Sequence, residues 1–121
     1  MPSAFYSVVV DSRDPAALAR FWGEVLGYVI VHEAPDEVVI VSPSQTGPGL
    51  VFGTAPEVKV GKNRLHIDLN PSDQAAEVER IVGLGARRVD IGQGTQPWVV
   101  LADPEGNEFC VLTARDFGPT P

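Results

Sequence analysis

The chain has 121 residues, 44% of them hydrophobic and 21% charged, the profile of one globular domain large enough to bury its own core. Sixteen acidic against nine basic residues give a net charge of −7, which repels phosphate backbones and excludes nucleic acid as an expected partner. Cys110 is the only cysteine, no run approaches the roughly 18 apolar residues that span a bilayer, and Met1-Pro2-Ser3 lacks the basic start of a secretory leader, so the sequence predicts a cytoplasmic protein without a membrane partner.

Residues 4–10 are aromatic and β-branched and predict a strand, broken by the turn formers of 11–14. Asp14 then offers a helix N-cap and Pro15 suits the first helical position. Leu18, Phe21, Trp22, Val25 and Leu26 recur at helical spacing, and Gly27 stands where a left-handed stop belongs. Two strands follow over 28–32 and 37–41, joined by a turn at 33–36, and a third over 50–53. The second half repeats this order: a strand over 65–69, a helix capped by Asp73 with the apolar stripe Ala75, Val78, Ile81 and Val82, an end at Gly85, and strands over 87–91, 98–102 and 108–113. The turn Asp103-Pro104-Glu105-Gly106-Asn107 joins the last two.

Ser7 precedes Asp14 by the interval that separates His66 from Asp73, so the halves superpose without a gap. Matching Gly49 to Gly106 sets Val51 against Glu108 at the far end. The chain thus reads as an α+β domain over 1–121 made of two tandem βαβββ modules, one over about 4–53 and the other over about 64–114, with a linker at 54–63. Pairing two such sheets is expected to give a curved mixed sheet around a ligand cleft.

Three stretches carry a resemblance: Asp14-Pro15 through Ala19-Arg20-Phe21-Trp22 to Leu26-Gly27-Tyr28; Asn63-Arg64-Leu65-His66-Ile67-Asp68-Leu69; and Leu101-Ala102-Asp103-Pro104-Glu105-Gly106-Asn107-Glu108-Phe109. Together they resemble the vicinal oxygen chelate superfamily of glyoxalase I, extradiol dioxygenases, fosfomycin resistance enzymes and bleomycin-binding proteins, and within it the bacterial glyoxalase-like branch. That resemblance implies a glyoxalase-like fold, a homodimer and a small organic ligand. In metal-dependent members, inward residues of the first and last strands of both modules hold a divalent ion such as Zn, Ni, Mn or Fe. The matching positions here are Ser7, Val51, His66 and Glu108. His66 and Glu108 suit a metal, whereas Ser7 and Val51 do not, and two protein ligands fall short of the three a catalytic metal normally needs. The expectation is therefore no metal cofactor, with His66 and Glu108 as its ligands if one binds, and with rescue by His32 or Asp68 as the remaining route.

Strand alternation sets Arg64, His66 and Asp68 on the cleft face and Leu65, Ile67 and Leu69 toward a helix. Two readings of the polar set stay open: a hydrogen-bonded acid/base pair of His66 and Glu108 carrying catalysis, or an ionic network among Arg64, His66, Asp68 and Glu108 left after metal loss. Trp98, at the cleft edge after Gly94-Thr95-Gln96-Pro97, is the expected stacking wall, while Trp22 belongs to the helix core. Phe5 shares the inward face of the first strand with Ser7 and Val9, either as pocket floor or as core packing. Cys110 is expected to pack as a small hydrophobe rather than act as a nucleophile.

The functional expectation is a small-molecule binder with a degenerate metal site that sequesters a metabolite or antibiotic. Ligand-binding residues would be Trp98, Phe5, Ser7, Val51, Arg64 and Asp68. The alternative is an isomerase, lyase or dioxygenase, either metal-dependent or run by Glu108 and His66; a domain serving only as an interaction module is a third reading.

Overall fold

Helix α1 (Pro15–Leu26) begins where Asp14 turns a carboxylate oxygen onto the Ala17 amide at 3.2 Å, one of the donors that a first helical turn leaves unpaired. It stops at Gly27, whose φ of 68° is the left-handed geometry that glycine adopts without penalty, and the Tyr28 amide closes onto the Gly23 carbonyl. The stripe Leu18, Ala19, Phe21, Trp22 and Val25 is buried, and Phe21 meets Trp22 edge to face at a ring separation of 5.3 Å. This computed structural model describes residues 2–114, and the chain divides into two compact units between Val58 and Lys59.

In the first unit, strands β1 (Ser7–Ser12), β2 (Val29–Ala34), β3 (Glu37–Val41) and β4 (Gly49–Thr54) form one sheet in the order β1-β4-β3-β2. The β1–β4 pair is parallel and the others antiparallel. Helix α1 packs on β3 and β4, and alternation sends Val38, Ile40, Leu50 and Phe52 beneath it. On the opposite face Val9, Val51 and Val39 line up across β1, β4 and β3.

The second unit repeats the arrangement. Strands β5 (Asp68–Leu69), β6 (Arg87–Arg88), β7 (Val99–Ala102) and β8 (Glu108–Val111) lie in the order β5-β8-β7-β6, again with the outer pair parallel. Helix α2 (Gln74–Gly83) is capped by Asp73 on the Ala76 amide at 3.1 Å and packs against β8, with Val78 and Ile81 buried. The matching strand orders make the chain a pair of tandem βαβββ modules. No helix among the described residues is long and apolar enough to cross a membrane.

Several edges differ from the sequence expectation. β1 starts at Ser7 rather than at residue 4, leaving Phe5 and Tyr6 73% and 88% exposed, so Phe5 does not pack in the core of this unit. β2 runs on to Ala34, which tightens the expected four-residue turn. β5 begins at Asp68 rather than Leu65, and upstream of it the Asn63 amide donates to the Glu108 side chain. Leu65, expected to face a helix, is 87% exposed. β6 keeps only two residues, the loop beyond it turning through Gly92 and Gly94 at φ of 84° and 68°.

Candidate functional site

Alternation along β7 and β8 sends Leu101, Phe109 and Val111 into the core beside α2 and leaves Val100, Glu108 and Cys110 on the other face. A pocket of about 370 Å³ opens on that face within the second unit. Trp98, Ile91, Val100 and Leu112 supply its apolar wall. Lys62, Asn63, Gln93, His66, Asp68, Glu108 and Cys110 supply its polar side. A few convergent polar groups on a largely apolar wall are the common form of a small-molecule site.

The polar residues fall into two groups. His66 Nε2 lies 3.1 Å from Asp68 Oδ1, and both side chains are about half exposed. Glu108 is tied elsewhere: Lys59 Nζ donates to its Oε2 at 3.0 Å, and the Asn63 amide donates to its Oε1 at 2.9 Å. Lys59 Nζ also donates to the Gly61 carbonyl. Burial raises the Glu108 carboxyl, but the Asn63 amide and the Lys59 ammonium outweigh it and hold the group below its ordinary value. The expected hydrogen-bonded pair of His66 and Glu108 is therefore replaced by two separate pairs, His66–Asp68 and Lys59–Glu108.

Cys110 pairs directly with Asp68 across the parallel β5–β8 ladder. Burial, and secondarily the Asp68 charge, push its thiol above the ordinary value, with Lys62 opposing. One donor atom each from His66, Asp68 and Cys110 lies within 4.8 Å of the others.

The remaining sequence candidates lie outside this pocket. Arg64 is exposed and does not line it, lying before the first β5–β8 ladder bond, which the Ile67 carbonyl accepts from the Cys110 amide. Ser7, Val51 and Phe5 belong to the first unit, as does His32, whose Nε2 sits 3.6 Å from Glu37. Trp98, His66, Asp68 and Glu108 do come together on the pocket wall.

Ladder register corrects one equivalence. Ser7 pairs with Gly49 and Val9 with Val51, whereas Asp68 pairs with Cys110. With Ser7 equivalent to His66, Val51 is the counterpart of Cys110, and Gly49 that of Glu108. Of the first-unit positions Ser7 and Gly49, only Ser7 carries a donor atom, and the two Glu108 oxygens accept hydrogen bonds from Lys59 and the Asn63 amide.

Sequence reasoning missed Lys59, Lys62 and Asn63, which it placed in a linker, and the apolar residues Ile91, Val100 and Leu112. The one readable signal was the shared spacing of two, from His66 to Asp68 and from Glu108 to Cys110, which sets four donor-bearing residues on adjacent strands.

A family model described as a glyoxalase-like domain matches residues 7–112. A glyoxalase/bleomycin resistance protein/dioxygenase family enzyme from Burkholderia phytofirmans PsJN superposes with a TM-score of 0.73 at 18% identity, covering 93% of this chain and 100% of that one. The fosfomycin resistance protein FosX from Mesorhizobium loti gives 0.68 at 16% identity over 95% and 94%. A variant FosX from Listeria monocytogenes, complexed with Mn(II) and a dihydroxypropylphosphonic acid, gives 0.70 at 13% identity over 95% and 93%. At these identities the likeness is one of fold. The chain is also 31% identical over 103 residues to the chaperone protein dnaK1 of Prochlorococcus marinus (strain MIT 9313), a match spanning 80% of the chain and 16% of that protein. With a family model covering nearly all of both modules, the chain belongs to the glyoxalase-like domain family.

Proposed function

We propose that this protein binds a small, flat organic molecule in the second-unit pocket, sequestering a metabolite or antibiotic, and that the family metal site is degenerate. The observation that carries this reading is Trp98, 37% exposed, lining one pocket together with His66 and Asp68. A ring held there gains about 1 kcal/mol from stacking beyond the area it buries. The Lys59 and Asn63 contacts to Glu108 support the degenerate site, since they satisfy within the protein the carboxylate that a family-type metal would need. The fosfomycin resistance proteins of like fold supply a first class of ligand to try. A cytoplasmic, bacterial homodimer is the setting that the resemblance and the single cysteine support.

The test is a tryptophan-fluorescence titration with a panel of aromatic metabolites and antibiotics, fosfomycin and bleomycin included. Saturable quenching in the native protein that disappears in Trp98→Ala is the expected result, with buried Trp22 as the unquenched reference. Absence of saturable quenching across the panel would sink the reading.

The 3.1 Å contact between His66 and Asp68 favours a second reading, an isomerase or lyase in which Asp68 orients the His66 imidazole for proton transfer. In that case His66→Ala abolishes turnover of a bound ligand while leaving its Trp98 quenching intact.

A further inference from the structure

The second unit carries donor atoms that the first unit lacks at the same ladder positions. Where β1 and β4 place Ser7, Val9 and Val51, the second unit has His66, Asp68 and Cys110. The first set offers one weak hydroxyl and two aliphatic side chains. The second offers an imidazole, a carboxylate and a thiol, and all three residues line the pocket. Their donor atoms lie within 4.8 Å of one another, and the closest contact, Nε2 of His66 to Oδ1 of Asp68, is 3.1 Å.

We propose that His66, Asp68 and Cys110 form a zinc site, offset by one step along the β5–β8 ladder from the family's metal-binding position. Tetrahedral zinc with bonds of about 2.0–2.3 Å holds its donors about 3.3–3.8 Å apart, and the donors here, all within 4.8 Å of one another, are within about 1 Å of that spacing. Nitrogen, carboxylate oxygen and sulfur together select zinc over magnesium or calcium, which take oxygen donors. Binding releases the Cys110 thiol proton to solvent and replaces the His66–Asp68 contact with two metal bonds. Three protein donors leave a fourth position for water or for a donor atom of a molecule in the pocket. Glu108 lies outside this donor group and is engaged by Lys59 and the Asn63 amide. The proposal uses the pocket described above but does not depend on its organic ligand.

The test uses the purified full chain, stripped with a chelator, and reads Zn(II) binding by competition with a chromophoric chelator and Co(II) binding by absorption. Expected are one equivalent of metal at submicromolar affinity and a near-ultraviolet sulfur-to-cobalt band. Cys110→Ser should remove the band, and His66→Ala and Asp68→Asn should each weaken zinc by at least about tenfold. Glu108→Gln should leave zinc affinity unchanged, and thermal unfolding of each variant separates lost binding from lost fold. A bound cobalt without the sulfur band in the native protein, no stoichiometric metal at all, or binding abolished by Glu108→Gln would each overturn the assignment. Failure to bind metal in a protein whose Trp98 is quenched by an organic ligand would overturn this proposal alone, and metal binding without quenching by any organic ligand would overturn only the preceding one.

Discussion

Lys59 and Glu108, 49 positions apart in the chain, meet at 3.0 Å with side chains only 20% and 13% exposed. Lys59→Met leaves the Glu108 carboxylate with the Asn63 amide and no counter-charge. The expected cost is about 1–2 kcal/mol, since a hydrogen bond to a charged group is lost in a partly buried site. Because the folded Glu108 sits below its ordinary value of 4.5, its stabilising contribution is full above that value and is lost as pH falls through the lower folded one. Urea unfolding near neutral pH and in acid should show the gap between native and variant proteins narrowing in acid.

Cys110 should be slow to alkylate. Burial and the Asp68 charge keep its thiol protonated above the ordinary value of 9.0, so little thiolate exists near neutrality. Iodoacetamide labelling of chelator-treated protein, followed by mass spectrometry, should rise only as pH passes that value. Asp68→Asn should accelerate labelling at every pH below it, having removed a negative charge that disfavours the thiolate.

The two faces of β4 should respond unequally to truncation. Phe52 is fully buried beneath α1, and Phe52→Ala should cost about 3–5 kcal/mol, enough to threaten the folded state of a marginally stable chain. Phe52→Leu, a milder change, keeps the comparison measurable at about 1 kcal/mol. Val51→Ala, on the half-buried opposite face, should cost about 1 kcal/mol or less. Chemical denaturation of the three variants checks the order.

Asp103 is the keystone of the turn between β7 and β8. Its Oδ1 accepts from the Glu105 and Asn107 amides at 2.9 Å each, and the Asn107 side chain donates to both carboxylate oxygens. Asp103→Ala should lose about 2–3 kcal/mol, and Asp103→Asn less, since it keeps one acceptor. Gly106 has a φ of 88°, so Gly106→Ala should cost about 1 kcal/mol in backbone strain alone. Thermal melts of the three variants order these effects.

Both helices were legible because their signals are local: Asp14, Pro15 and Gly27 bracket one, and Asp73 opens the other. The extent of β5 was not, since it depends on how many of its residues pair with β8, more than 40 positions away, and the Asn63 amide's turn to the Glu108 carboxylate is equally non-local. A separation of 49 positions hid Lys59, whose long flexible side chain leaves no trace in spacing. Val51 was set against Glu108 because glycine offsets were matched at the ends of β4 and β8. The true register follows from pairing with β1 and β5, a non-local fact. Glu108 and Cys110 share a face of β8 as their spacing of two predicts, because alternation survives on that strand, and Trp98, His66 and Asp68 line the same pocket.

The short β5 has a thermodynamic consequence. Ser7 with Gly49 and Asp68 with Cys110 close loops of equal length, so the entropy of bringing the outer strands together is similar in the two units. Yet six residue pairs hold β1 to β4 and only two hold β5 to β8. The strand that carries Asp68, with His66 just before it, is therefore the one that opens at lower free energy. The Cys110 and Leu112 amides, which donate to the Ile67 and Leu69 carbonyls, should exchange with deuterium sooner than the amides along β1 and β4. Anything that bridges β5 to β8 through His66, Asp68 and Cys110 should slow that exchange, so local breathing would report occupancy of the pocket.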